Sequence, residues 1–308
     1  MQVAGIQSLD HAVETIDLPD PRPLAEDEVL IEVRAAGVAN WDEFVRTGQW
    51  DVGRKPPLAL GVAAAGVVAA VGEAVEGWQE GAEVLTHPVP LRDQGTWAPW
   101  LIAPAALVAR KPAPVSWDVA AAFPVSALTA AQVIDETLRV DADDVVLVHG
   151  GGGVTGGVLV SLAAVRGAEV IATASPANHE RLRRLGASHL LDYHDSGWPE
   201  EARALGGSSG VAAAANAAPG GSADAIRAVR DGGLLATITS DPPDEERGIA
   251  ISSLIVRADG PMLEAMAELL AAGKLEISVA ATYPLEDAAA ALARTVGEGS
   301  GGAVVLRP

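Results

Sequence analysis

Apolar and polar positions alternate early in this chain and recur with helical spacing later. Residues 1–35 read as strands separated by turns. Asp20-Pro21-Arg22-Pro23 breaks the chain, and Glu28–Arg34 (EVLIEVR) alternates with period two, as a half-buried strand does. Residues 35–50 (AAGVANWDEFVRTGQW) predict a short helix capped by Asn40 and carrying Trp41, Phe44 and Val45. Leu60–Val71 is apolar, and Glu83–Pro88 and 96–110 add further strand material, the last interrupted by Pro99 and Pro104. Glycines at 61, 66, 72, 77 and 81 punctuate these runs. Such dense turn signals predict a compact, partly open β-barrel or curled sheet, ending near Pro114.

The pattern then changes. Ser116 can cap a helix over WDVAAAF, Pro124 interrupts it, and Ala127–Leu138 predicts a second helix. Val145–Val148 is a β-branched apolar run that suits a buried parallel strand. Four glycines follow, Gly150 to Gly153. A helix through Val158, Leu159, Leu162 and Val165 closes at Gly167, and Val170–Ala174 predicts the next strand. Helices over Ser175–Leu185, Glu200–Leu205 and Ala223–Val229 alternate with strands over Leu190–Tyr193, Val211–Asn216, Leu234–Ile238 and Ile249–Val256. This alternation predicts a doubly wound parallel sheet over residues 116–257. Residues 258–308 predict helices over Leu263–Leu270 and Leu285–Arg294 and strands over Ile277–Ala280 and Ala303–Leu306, and could return to the first domain. A cleft between the domains is the expected substrate site.

Gly151, Gly153 and Gly156 fit the spacing G-x-G-x-x-G between two strand-like runs. The first glycine permits a tight turn, the second lets backbone approach a pyrophosphate, and the third lets the helix lie close to the strand. Unpaired N–H groups at the helix start, including that of Val154, then face the phosphates. The second strand of an NAD site usually ends in a carboxylate that holds the ribose hydroxyls. Here it ends Thr173-Ala174-Ser175, with nothing to repel a 2′-phosphate. Ser175 and Asn178 can donate hydrogen bonds, and Arg181, Arg183 or Arg184 can supply charge, so NADPH is expected over NADH.

Composition narrows the chemistry. The 308 residues include no cysteine, which excludes disulfides, thiolate nucleophiles and Cys-ligated zinc and fits the cytoplasm. The six histidines (11, 87, 149, 179, 189, 194) form no metal-ligand spacing. A formal charge of −20 disfavours nucleic acid and anionic membranes. Neither a membrane helix nor a signal peptide is expected. Asp42 and Arg46 are spaced for an ion pair on one helix face.

Several stretches together resemble the zinc-free quinone oxidoreductase branch of the medium-chain dehydrogenase/reductase superfamily. They are AAGVANWDEFVRTG (35–48), LALGVAAAGVVAAVGEAVEGWQEGAEV (58–84), SALTA (126–130), VVLVHGGGGVTGG (145–157), RLGASHLLDY (184–193) and GGAVVLRP (301–308). The resemblance implies a GroES-like, mainly β catalytic domain (residues 1–115) interrupted by the Rossmann domain. It implies hydride transfer from NADPH to a quinone or activated enone without metal. It also implies a homodimer through the strand at 249–256. Asn40 matches the family asparagine near the nicotinamide, Thr129 the threonine of its L-T-A segment, and Tyr193 a tyrosine near the adenosine 2′-phosphate. Departures are Trp41 for proline, Ala63 for an acid, Val154-Thr155 before Gly156, Asn178 for a lysine and Glu298 for an arginine. A non-catalytic dinucleotide-binding regulator and a freestanding enoyl reductase for acyl thioesters stay open as alternatives.

Overall fold

The alternating EVLIEVR run lies in the longest strand of the first sheet system. In chain order the elements begin β1 (Gln2–Ile6), β2 (Glu14–Asp17), β3 (Glu28–Val38), α1 (Asn40–Arg46), β4 (Leu58–Ala59), β5 (Ala64–Val71), β6 (Glu83–Thr86), β7 (Trp100–Pro104) and β8 (Val108–Arg110). Next come α2 (Trp117–Ala122), α3 (Pro124–Ala131), β9 (Val145–His149), α4 (Val154–Val165), β10 (Glu169–Thr173), α5 (His179–Arg184), β11 (Ala187–Leu191), α6 (Trp198–Leu205), β12 (Val211–Asn216), α7 (Ser222–Ala228), β13 (Val229–Thr237) and β14 (Ala250–Ser253). The chain closes with α8 (Gly260–Ala271), β15 (Val279–Pro284), α9 (Ala288–Val296) and β16 (Ala303–Arg307). This computed structural model describes residues 1–297 and 301–308, so Glu298 lies outside the described residues.

Two compact units divide the chain. The first comprises Met1–Leu128, Arg257–Ala271 and Ile277–Pro308, and the second Thr129–Val256 and Ala272–Glu276. In the first unit, β15-β16-β3-β5-β6-β8 form one sheet path with β7 also paired to β3, and β2-β1-β4 form a smaller sheet. The C-terminal β16 runs antiparallel to β3, so the tail returns to the unit where the chain began. Trp97 is fully buried there, and its indole N–H donates to Gly37 O at 2.9 Å. Glu28, which opens the alternating strand, is also buried. Arg22 of the Asp-Pro-Arg-Pro segment makes two 2.7 Å bonds to its carboxylate, as a buried charge requires.

The second unit is a six-stranded sheet in the order β11-β10-β9-β12-β13-β14, with every pairing parallel. Counted from β9, this is the order 3-2-1-4-5-6 of the doubly wound dinucleotide-binding sheet. Its core includes Leu147, Ile171, Leu191, Trp198, Ala214 and Leu235. The alanine-rich β12 becomes a strand because both neighbours pair with it over Ala213–Asn216, not because of its own β propensity.

Boundaries moved where pairing partners ran out. The strand expected over 190–193 is Ala187–Leu191, the stretch that β10 reaches in parallel register. The one expected over 249–256 narrows to Ala250–Ser253, because β13 ends at Thr237, opposite Ser253. The one expected over 277–280 shifts to Val279–Pro284, opposite Ala303–Arg307.

Candidate functional site

The parallel register sets the working edge of the second unit. Val148 pairs with Ala172, His149 with Asn216, and Asn216 with Thr237. Thr173, His149, Asn216 and Thr237 therefore close four successive apolar strands at one depth, and all four are buried. Strand order reverses between β9 and β12, and ligands of open α/β sheets bind outside the strand ends at that point.

The glycine loop leaves β9 at this edge. Gly150 takes φ +84°, and a Cβ there would lie 2.8 Å from Ala218 N, so only glycine fits the turn. Gly150 N–H donates to Thr173 Oγ1 at 3.0 Å, and Gly151 N–H to Thr173 O at 3.0 Å. A Cβ on Gly156 would stand 2.1 Å from Gly150 O, so α4 seats directly on the loop only because that position is bare. Gly153 caps α4 without a side-chain bond. The first N–H groups of a helix lack intrahelical acceptors, so this end offers donors to an anion.

Beside the loop, β10 ends at Thr173 and is followed by buried Ala174 and then Ser175. Asn178 Nδ2 donates to Ser175 Oγ at 3.1 Å, and a Cβ on Gly152 would be 3.2 Å from that same Nδ2. The structure thus gathers Gly151, Gly152, Ser175 and Asn178 into one neighbourhood. Arg181, one of three arginines that the sequence offers as charge for a 2′-phosphate, also lies here. Its Nη2 donates to Gly152 O at 2.7 Å and Gly151 O at 3.5 Å. Burial lowers its pKa. Tyr193 is 47 % exposed and packs on His194, with ring centroids 4.2 Å apart.

Two further groups lie at this edge: His149, which ends the central strand and reads as structural or cofactor-adjacent, and Asp241, which no motif announced. His149 Nδ1 lies 2.6 Å from Thr173 Oγ1, and its ring stacks on Trp198 at 4.4 Å. Burial pulls its pKa down to about 4, against the pull of Asp224 and Asp241, so the imidazole is neutral near pH 7. Asp241 Oδ1 accepts from Ser222, Thr237 and Thr239 hydroxyls at 2.8, 2.7 and 2.5 Å. Burial opposes its charge, but these bonds outweigh it and hold the carboxylate at about 2. The available signal was a polar residue ending each apolar run.

In the first unit, Asn40 is exposed on the opening turn of α1. Asp42 is fully buried. Its Oδ2 accepts from Ala39 N–H at 2.9 Å, fixing the helix start, while Oδ1 has no partner. Burial drives its pKa up to about 8, against the lowering by the Ala39 N–H, so the carboxyl is largely protonated at pH 7. The expected Asp42–Arg46 ion pair does not form. Arg46 bonds Glu43 twice at 2.7 Å and reaches His11 O, because Glu43 lies on the exposed side of the helix and Asp42 does not. Ala63 is buried, and its carbonyl takes bonds from Gly37 N–H and Thr96 Oγ1. His87, also buried, donates Nδ1–H to Val62 O at 2.6 Å and leaves Nε2 unpartnered, with burial lowering its pKa to about 4. Thr129 is buried in α3, at the start of the second unit.

Two family models match the chain. One, described as alcohol dehydrogenase GroES-like domain, covers residues 25–113. The other, described as zinc-binding dehydrogenase, covers residues 185–306. The donor set does not suit that metal: the sequence has no cysteine, and no three His, Asp or Glu side chains among the described residues group as ligands. Erythronolide synthase EryA2 of Saccharopolyspora erythraea is 33 % identical in a 309-residue alignment that covers 94 % of this chain; the chain spans 8 % of that protein's length. A 2-haloacrylate reductase of a Burkholderia species is 29 % identical over 324 residues, 96 % of this chain and 94 % of that one. Among solved structures, a mycobacterial quinone oxidoreductase aligns with TM-score 0.83 and 28 % identity over both whole chains. A mycobacterial protein complexed with NADPH aligns with TM-score 0.84 and 28 % identity, again over both whole chains.

Proposed function

Because the chain belongs to the medium-chain dehydrogenase/reductases, has no cysteine and shows no metal-ligand cluster among the described residues, we propose that it transfers hydride from NADPH to a quinone or conjugated enone. The observation that carries this is the glycine loop, closed against α4 at the switch point of a 3-2-1-4-5-6 sheet. Gly151, Gly153, Val154 and Gly156 hold the pyrophosphate. Ser175, Asn178 and Tyr193 serve the adenosine end, with Ser175 in place of the carboxylate that would favour NADH. The NADPH complex of a 28 % identical relative supports a nicotinamide cofactor. When bound, the reduced nicotinamide supplies the hydride.

The side chains have limited work to do. Thr129 contacts the nicotinamide end. Asn40 donates a hydrogen bond to the substrate oxygen as charge develops there, its helix held by the Asp42–Ala39 bond. Conjugation spreads that charge, which lessens the need for a metal, and water delivers the proton. The free outer edge of β14, with Ile255 72 % exposed beyond it, suits pairing with a second copy across the sheet. No helix among the described residues is long and apolar enough to cross a membrane.

Steady-state assays with NADPH or NADH and quinones, 2-alkenals, 2-haloacrylates and 2-alkenoyl thioesters test the reading. Turnover of quinones or enones with NADPH is expected. Turnover confined to thioesters supports instead the enoyl-reductase reading, which the 34 % identity to a segment of a polyketide synthase system protein of Streptomyces orinoci favours. NADPH binding without turnover of any acceptor leaves a non-catalytic binding protein.

A further inference from the structure

We propose that Arg181 is a positioning residue for the dinucleotide phosphates: its guanidinium, hydrogen-bonded beneath the glycine loop, fixes the loop amides and serves NADPH and NADH alike. The inference rests on the dinucleotide reading above and assigns Arg181 a different task from reading the 2′-phosphate.

The contacts define that task. Nη2 donates to Gly152 O at 2.7 Å and to Gly151 O at 3.5 Å. In a trans peptide the carbonyl and the following N–H point in opposite directions. Holding Gly151 O toward the guanidinium therefore turns Gly152 N–H away from it, and that N–H meets no acceptor among the described residues. The neighbouring amides are occupied: Gly150 and Gly151 donate to Thr173, and Gly153 donates to Gly150 O. One donor of the loop is thus free, and the arginine orients it.

Charge points the same way. Arg181 feels the carboxylate of Glu276 through space, while Glu276 forms its ion pair with Arg184 at 3.5 Å. A guanidinium bonded to the loop carbonyls Gly151 O and Gly152 O adds positive charge next to amides that can face a pyrophosphate. Gly157 adds an independent observation. It lies outside the G-x-G-x-x-G spacing, yet a Cβ there would stand 2.8 Å from Arg181 Nη1. That bare position on α4 makes room for the guanidinium.

The test measures dissociation constants for NADPH and NADH by calorimetry in the wild type, R181M, R181K and G157A, with circular dichroism to confirm folding. R181M should weaken both cofactors about 10- to 100-fold, the range for a charged hydrogen bond, and keep their ratio within about threefold of wild type. R181K should recover part of the loss, since it restores charge without the fork. G157A, which displaces the guanidinium from the opposite side, should reproduce the uniform loss, and it carries the test if R181M does not fold. Weakening of NADPH alone would show that the guanidinium reads the 2′-phosphate and overturn the proposal. Unchanged affinities in folded R181M would overturn it too. A wild type that binds neither cofactor defeats the dinucleotide reading itself, a result distinct from either of these.

Discussion

Replacing Asp42 by asparagine should remove a pH-dependent weakness from the first unit. The carboxyl is fully buried, and its pKa is raised from 3.8 to about 8. From about pH 5 to pH 8 the unfolded chain has lost this proton while the folded chain keeps it, so stability falls as pH rises. Each unit of that window costs about 1.4 kcal/mol, which gives about 4 kcal/mol across it. An amide keeps the Oδ acceptor for Ala39 N–H and has no proton to lose. The buried histidines His87 and His149, lowered from 6.5 to about 4, act in the opposite direction: their contribution is present above 6.5 and lost as pH falls through 4. Both remain in the variant, so the difference between the two proteins isolates Asp42. Urea unfolding at a series of pH values reads it directly. The gap between D42N and wild type should widen by about 4 kcal/mol from pH 5 to pH 8 in favour of the variant. A constant gap would refute the burial argument.

Further outcomes follow from the second unit. G156A places a methyl 2.1 Å from Gly150 O and must lift α4 off the loop; NADPH affinity measured by calorimetry should fall at least about 100-fold. S175D puts a carboxylate at the position proposed to face the 2′-phosphate, and the NADPH-to-NADH ratio of kcat/KM should drop about 10- to 100-fold. T173V removes the hydroxyl shared by Gly150 N–H and His149 Nδ1; thermal and urea unfolding should show a loss of about 1–3 kcal/mol, with weaker cofactor binding.

Much of the fold was legible because its patterns are local. EVLIEVR alternates, and VVLVH–GGGG–helix carries strand, turn and helix start in order. Gly156 could be read from spacing, since it meets Gly150 O nearby in sequence, but the turn itself falls on Gly150, one residue before the Gly151-x-Gly153-x-x-Gly156 spacing, where the chain meets Ala218 of the next βα turn. Contacts over long separations could not be read this way. Arg181 looked like a phosphate ligand on a solvated helix, and only the packing of α5 against the loop turns it onto Gly152 O. Asp42 and Arg46 had ideal spacing for an ion pair, but spacing does not say which side of α1 is buried. The Asn216–Thr237–Asp241 group needed the strand register, which no single strand encodes.

The account depends most on where a dinucleotide sits. Hydrogen exchange followed by mass spectrometry, with and without saturating NADPH, locates it directly. Slowed exchange should concentrate in peptides spanning 150–157 and 174–178 of the wild type and vanish in G156A. Protection elsewhere with these segments unchanged, or no protection at all, would contradict it.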